Sequence, residues 1–199
     1  MNALKIAMAI VAVVPLSACV TTQAYVDPEY HHATFSSLQR PAEPIPVVVS
    51  VQWERNGVPY PAYDSHFQSE VVQTLGSSGV FAPVLFGSGS GVNAQITIVG
   101  NDIYDASGAF SKGFGTGLTF GAVGNVVSDN YEFTFAYRNG SDNYQNTYRH
   151  AILTTVGNAA APVAAPPTTP ADASHQVIQD VTLNFVDDLQ KKGLLNSHQ

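Results

Sequence analysis

A strand–turn–strand pattern in the second half of the chain constrains the fold more than any other feature. Four aromatic residues recur at every second position, namely Tyr131, Phe133, Phe135 and Tyr137. A period of two indicates a strand with one buried face. The turn signal Asn139-Gly140-Ser141-Asp142 follows, and Tyr144 to Val156 is expected to return as the partner strand of a hairpin. Any fold of this chain must cover one face of that hairpin.

Two amphipathic helices are predicted to provide the cover. Ser65 is expected to cap the first helix, with Gln68 completing a capping box, and the apolar face comprises Phe67, Val71 and Leu75. The second helix is expected to begin at Thr169-Pro170, because Thr is a good N-cap and Pro suits the first helical position. Its apolar face comprises Val177, Val181, Phe185 and Leu189, and Gly193 is expected to end it.

The remaining apolar runs indicate further strands at Val47–Trp53 and Ala94–Ile98. A shorter run, Val80–Phe86, contains Pro83, which has no N–H to donate and restricts such a strand to an edge. The predicted order is strand, helix, one or two strands, hairpin and helix. We therefore expect an α+β fold, a two-layer sandwich of a mostly antiparallel sheet with the two amphipathic helices on one face.

The N-terminus has the pattern of an export signal. Lys5 precedes an apolar run, Ile6–Val14, which is shorter than the roughly 20 residues that span a bilayer. The next residues, which resemble the lipobox of bacterial lipoproteins, are Leu16, Ser17, Ala18 and Cys19. The resemblance implies that residues 1–18 are a signal peptide, that cleavage occurs before Cys19, and that Cys19 carries diacylglycerol and an amide-linked acyl chain such as palmitate.

The following segment, residues 19–44, is expected to form the lipid anchor and a flexible tether. No apolar period of two or 3.6 residues runs through it, and it contains prolines at positions 28, 41 and 44. Residues 45–199 are then the periplasmic α+β domain. In lipoproteins of enteric type, Asp after the cysteine marks retention in the inner membrane. By that resemblance Val20 implies the outer membrane, with the domain facing the periplasm.

Charge and cysteine content exclude several classes of protein. The chain has 8 Lys and Arg against 15 Asp and Glu, which argues against a nucleic-acid binder. Loss of Lys5 with the signal peptide leaves 7 basic residues against 15 acidic residues, which gives a net charge of −8. Membrane attachment is therefore expected to depend on the lipid at Cys19 rather than on a basic patch. The single cysteine excludes an internal disulfide and a cysteine-rich zinc site.

An uncharged glycine-rich stretch, residues 113–127, admits three interpretations. Gly115, Gly117 and Gly121 form a GxGxxxG pattern, but the strand–helix–strand context of a nucleotide cradle is missing. The second interpretation is an apolar strand or loop packed into the core. The third is an apolar loop that contacts a partner protein or the membrane. Its expected contact residues are Phe114, Leu118, Phe120 and Val123.

Candidate catalytic residues form no recognisable pattern. The chain contains no GxSxG, SxxK or HExxH motif, and its histidines are scattered at positions 31, 32, 66, 150, 175 and 198. Asp102 and Asp105 flank Tyr104 after a strand, where they could line a cleft. Tyr131, Tyr137, Tyr144 and Tyr148 either stabilise the hairpin through cross-strand pairs or form a binding face. We expect no enzyme activity, no metal site and no cofactor.

With lipobox, tether and this element order, the chain resembles small envelope lipoproteins of proteobacteria. It is similar in architecture to the lipopolysaccharide-assembly lipoprotein and to the N-terminal domain of the Tol periplasmic protein. The segments that carry the resemblance are Val47–Trp53, Phe67–Phe81, Ala94–Ile98, Gly117–Gly121 and the helix from Val181 to Gly193. The resemblance implies a non-catalytic, lipid-anchored envelope protein that binds or scaffolds other envelope components, with another envelope protein as partner. The alternative is a periplasmic carrier of an apolar ligand or lipid, which predicts an enclosed cavity between helices and sheet.

Overall fold

The computed structural model describes residues 21–30, 32–87, 91–104 and 124–195. Within these residues, seven strands form one sheet, and two α-helices accompany it. The strands are β1 (Thr22–Val26), β2 (Ile45–Arg55), β3 (Val58–Pro59), β4 (Phe81–Phe86), β5 (Ala94–Ile103), β6 (Asn125–Asn139) and β7 (Asp142–Val156). The helices are α1 (Asp64–Ser77) and α2 (Pro170–Lys191), and short 3₁₀ turns cover Pro28–Tyr30 and Pro61–Tyr63.

The sheet is mixed, so the expectation of a mostly antiparallel sheet is wrong, whereas the α+β fold class is confirmed. The strand order is β1-β7-β6-β5-β2-β3, with β4 beside the first half of β2. Strand β2 runs parallel to both β4 and β5. Helix α1 provides the crossover that brings the chain back in the same direction, as parallel neighbours require. Alternation in the sequence predicts strands but carries no information on their relative direction.

The predicted hairpin is present and is the longest element of the sheet. Strands β6 and β7 pair antiparallel from Asn125–Val156 to Asn139–Asp142. The first five residues of β6 extend past the end of β5, because Ile103 pairs with Asn130. At that end β7 pairs with β6 on one side and with β1 on the other, so these three strands continue where β5 has stopped.

Both helices lie on the same face of the sheet. Phe133 and Phe135 are two positions apart on β6 and therefore point to one face. Phe133 contacts Phe67 of α1 with ring centroids 6.0 Å apart, and Phe135 stacks on Phe185 of α2 at 4.7 Å. On the other face hydroxyl pairs are exposed, such as Thr134 with Thr147 at 3.0 Å.

The predicted helix faces are correct, but one predicted cap is wrong. The apolar residues of α1 are fully buried at Phe67, Val71 and Leu75. The helix begins at Asp64 without a side-chain cap, so Ser65 does not cap it. Asp64 instead accepts a hydrogen bond from the Trp53 backbone N–H at 2.7 Å, which ties α1 to β2. In α2, Thr169 caps the helix as predicted, accepting from the Asp172 N–H at 3.1 Å.

The predicted flexible tether over residues 19–44 does not match the structure from Thr22 onward. Residues Thr22–Val26 form β1, which pairs with β7, and Ala24, Tyr25 and Val26 are buried. After β1, the N-terminal strap (residues 27–30 and 32–40) contributes Ala33 and Leu38 to the core. The expected domain boundary at residue 45 therefore lies too late in the chain.

Side-chain amides of α2 bind the backbone of the strap. Asn184 Oδ1 accepts from the Ala33 N–H at 2.9 Å, and Asn184 Nδ2 donates to the Tyr30 carbonyl at 3.0 Å. Gln190 Oε1 accepts from the Gln39 N–H at 3.0 Å. The strap backbone and these side chains of α2 thus satisfy one another's hydrogen-bonding groups. No helix in the described part of the chain is long and apolar enough to cross a membrane.

Asn184→Ala should lower the free energy of unfolding by about 2 kcal/mol, because it leaves a buried N–H and a carbonyl without partners. Urea unfolding at neutral pH measures the change. Gln176→Ala, an exposed position of the same helix, should change stability by less than about 0.5 kcal/mol. Equal effects of the two substitutions would contradict the role given to Asn184.

Candidate binding groove

An open groove of about 430 Å³ lies where the ends of β2 and β5 meet the first turns of α1 and α2. Its lining includes Trp53, Arg55, Tyr60, Tyr63, Asp102 and Tyr131. They come from β2, β5, β6 and the segment between β3 and α1. We refer to this feature as the aromatic groove.

The floor of the aromatic groove is Trp53, which is 5% exposed. Its indole contacts Tyr63 at 4.6 Å and Tyr131 at 6.2 Å between ring centroids. Gly100 is its neighbour on β5, and a Cβ there would lie 2.7 Å from the indole ring. Glycine at that position therefore makes the room that the indole occupies.

A half-exposed ion pair forms the rim. Arg55 Nε lies 3.2 Å from Asp102 Oδ2, and the Arg55 side chain is 50% exposed. The guanidinium also lies 4.7 Å from the centre of the Tyr60 ring and 6.0 Å from that of Tyr104. Tyr60 and Tyr104 are 40% and 43% exposed. The rim thus presents aromatic faces and a planar cation to solvent, a combination that binding sites use often.

One asparagine holds the rim in place. Asn56 has a φ of 50°, in the left-handed region that Asn tolerates better than most residues. Its side chain donates to the Tyr104 carbonyl at 2.9 Å and accepts from the Tyr104 N–H at 3.0 Å. This reciprocal pair joins the turn after β2 to the end of β5.

The opposite wall of the aromatic groove joins the two helices. The Tyr63 hydroxyl is 2.9 Å from Ser174 Oγ, and the Tyr63 ring meets His66 edge-on at 4.9 Å. Glu70 lies between two histidines: His66 on its own helix at 4.0 Å, and His175 of α2 in direct contact. These contacts fix the first turns of α1 and α2 beside each other.

Burial controls the ionisation of the groove phenols. It raises the pKa of Tyr131 well above the usual tyrosine value, and the carboxylates Asp129 and Asp102 raise it further. Burial also raises the pKa of Tyr63, although the hydrogen bond with Ser174 acts in the opposite direction. Both groups therefore remain neutral phenols at physiological pH. They can donate or accept hydrogen bonds, and they are not poised as general bases.

Two other polar clusters hold α2 and lie away from the aromatic groove. His150 Nε2 is 3.3 Å from Asp180 Oδ2, and both side chains are almost completely buried. Asp188 Oδ2 accepts hydrogen bonds from Tyr144 at 3.0 Å and Tyr148 at 2.5 Å. Since a buried charge is costly unless partnered, these contacts account for Asp180 and Asp188 as structural groups.

A second groove, of about 520 Å³, lies at the other end of the hairpin. Its lining includes Glu43, Pro44, Asn139 and Leu195. None of the described residues that line it has an aromatic side chain. The aromatic groove is smaller, but it combines exposed rings with an ion pair, so we treat it as the candidate site.

The residues predicted from the sequence have different outcomes. The lipobox residues Leu16, Ser17, Ala18 and Cys19 lie outside the described residues, as do the contact residues Phe114, Leu118, Phe120 and Val123. Of residues 113–127, only the last four are described, and Val126 and Val127 belong to β6. Asp102 lies in β5 and lines the aromatic groove, whereas Asp105 is outside the described residues.

The four hairpin tyrosines do not form one binding face. Tyr131 lines the aromatic groove, and Tyr137 is fully buried. Tyr144 and Tyr148 face α2, with their hydroxyls on Asp188. Within the described ranges, no group of three or more His, Cys, Asp or Glu side chains is placed to hold a metal ion.

Sequence reasoning missed Trp53, Tyr60 and Tyr63 as site residues. The available signal was a cluster of aromatic residues within eleven positions, interrupted by the Asn56-Gly57 turn. Alternation up to Trp53 indicates only the end of a strand. The rings come together because the chain folds back through β3 before α1 begins.

Comparisons with known proteins leave the family open. No family model and no curated protein matches the chain. Among solved structures, a PelC dodecamer from Paraburkholderia phytofirmans is 13% identical, with 90% of this chain and 99% of that chain covered and a TM-score of 0.38. A homologue of the neuraminyllactose-binding hemagglutinin from Helicobacter pylori is 15% identical, with 82% of this chain and 94% of that chain covered and a TM-score of 0.40. Similarities of this size support no conclusion about this chain.

The raised pKa of Tyr131 predicts a pH dependence of stability. Above pH 10 the unfolded chain releases the phenolic proton while the folded chain keeps it, so the free energy of unfolding falls as pH rises. Tyr131→Phe removes the titrating group and should make this fall shallower. Urea unfolding of both proteins at pH 7 and above pH 10 tests the effect. Parallel curves for the two proteins would contradict it.

Proposed function

We propose that the protein is a non-catalytic, lipid-anchored protein of the bacterial envelope that binds another envelope component. The aromatic groove is the observation that carries the binding role. Exposed aromatic faces beside a half-exposed arginine favour association, because they bury large areas at low cost in side-chain entropy. In this proposal the lipid at Cys19 holds the protein in the outer membrane, and the groove meets the partner in the periplasm.

The groups of the aromatic groove suit recognition better than chemistry. Asp102 is paired with Arg55, and the Tyr63 hydroxyl is paired with Ser174. Both phenols with a raised pKa remain neutral. A partner with a planar polar group and an apolar surface would satisfy the rim.

A carrier of an apolar ligand is the less favoured alternative. It requires space between the helices and the sheet, and large side chains occupy that interface in the described part of the chain. Phe67, Phe133, Phe135 and Phe185 are all fully buried there and touch one another in pairs. This packing favours a surface-binding protein over a carrier.

The anchor is tested by Cys19→Ala. The change removes the thiol that accepts diacylglycerol, so we expect loss of incorporated palmitate analogue and failure of signal cleavage. The protein is expressed in bacteria that are fed the palmitate analogue. Labelling of the purified chain reports lipid incorporation, and its mass reports signal cleavage. Thr21→Ala preserves the cysteine and should be processed normally. Labelling that persists in Cys19→Ala would contradict lipidation at this residue.

The groove is tested by site-directed photocrosslinking in cells. A photoreactive residue at Tyr60 should give a discrete crosslinked product, since Tyr60 is at the exposed rim. Gln145 is the matched control, an exposed residue on the opposite face of the sheet. Arg55→Glu should remove the Tyr60 product by reversing the charge of the rim. Identical products from both positions, or none from Tyr60, would count against the groove as the binding surface.

A further inference from the structure

Among the described residues, one end of the domain carries no ionisable group apart from a tyrosine. It consists of residues 21–25, 124–128 and 153–168, which contain no Asp, Glu, Lys, Arg or His. We call this region the charge-free end. Its exposed members include Thr21, Asn158, Ala161, Ala164 and Pro166. In a chain of net charge −8 after signal removal, an uncharged region built from three distant segments is a distinct surface.

The three segments meet in space. Thr22 and Asn125 both pair with Val156, so β1, β7 and β6 end in one row. The segment after β7 then folds over the row. Gly157 donates to the Thr21 carbonyl at 3.0 Å, and Thr168 exchanges two backbone hydrogen bonds with Ala24.

Among the described residues of these strands, the first charged side chain lies four rows of the sheet above this end. Val26 and Asp129 both pair with Ile152, four rows from Thr22, and Asp129 is the first charged residue of β6. Asp27 follows directly on β1, and Arg149 lies further along β7. The uncharged zone therefore has a depth of about 13 Å along the strands.

Chain length connects the charge-free end to the expected lipid. Cys19 is two residues before Thr21, so their Cα atoms can be at most about 7 Å apart. Thr21 itself is fixed to the domain, because it is bonded to Gly157 in both directions. The polar zone on each side of the hydrocarbon core is roughly 5–8 Å thick. A lipid on Cys19 therefore brings Thr21 and Gly157 to the headgroups.

We propose that the charge-free end rests on the membrane surface, which fixes the orientation of the domain. The proposal rests on the lipid anchor of the proposed function. In this arrangement no long flexible tether separates the domain from the lipid, because β1 and the strap hold the chain from Thr22 onward. An acidic body is repelled by anionic headgroups, so contact through an uncharged surface is the favourable arrangement.

This orientation sets how far the hairpin turn and the aromatic groove lie from the membrane surface. The hairpin turn at Gly140 lies about 50 Å along β6 from Asn125. Tyr131, and with it the aromatic groove, lies about 20 Å along the same strand. The groove is then clear of the headgroups and open to a partner in the periplasm.

Fluorescence quenching by a nitroxide on the lipid headgroup tests the orientation. The lipidated full chain is placed in phosphatidylcholine vesicles that contain headgroup-labelled phosphatidylcholine. Ala161→Cys gives a single free thiol for a fluorophore, because the thioether occupies Cys19. Asn158→Cys is a second position on the charge-free end, and Ser141→Cys at the hairpin turn is the exposed control.

We expect the probes at positions 161 and 158 to lose more than half of their fluorescence, and the probe at 141 to keep it. Equal quenching at all three positions, or none at any, would overturn the orientation while leaving the anchor intact. Mass measurement of the same samples separates the two claims. A chain without lipid on Cys19 would overturn the proposed anchor and the orientation together.

Discussion

The burial of α2 on all sides is the constraint on which the rest of the structure depends. From Asp180 to Val186 every residue of the helix is buried, although a two-layer fold leaves one side of a helix open. Phe185 faces the sheet, where it stacks on Phe135. Asp180 and Asn184 lie in this buried stretch, and they need polar partners once water is excluded. His150 and the backbone of the N-terminal strap provide them.

This requirement makes the N-terminus part of the fold. Without the strap, Asn184 and the apolar residues beside it would face water. With the strap in place, β1 belongs to the domain, and Thr22 lies three residues after Cys19, the residue that resembles a lipidation site. In the lipid-anchored protein that we propose, the same contact determines both how α2 is covered and how near the domain lies to the membrane. The aromatic groove depends on it indirectly, because the first turn of α2 forms one wall.

Local patterns predicted the elements that are determined locally. The alternation from Tyr131 to Tyr137 and the Asn139-Gly140 turn were sufficient for the hairpin, and Thr169-Pro170 was sufficient for the start of α2. The parallel pairing of β2 could not be predicted, because it depends on which strand α1 delivers beside it.

The strap and the groove were missed for a related reason. Ala33 and Gln39 bind side chains 151 positions further along the chain, and the strap has no period that would reveal its burial. The groove combines side chains from β2, β5, β6 and the segment before α1, so no single stretch of sequence contains it. Hydrogen exchange at the Ala33 and Gln39 amides tests the central claim most directly. The account predicts that both amides are protected together with the amides of α2. Exchange at the rate of an unfolded chain, while α2 stays protected, would contradict it.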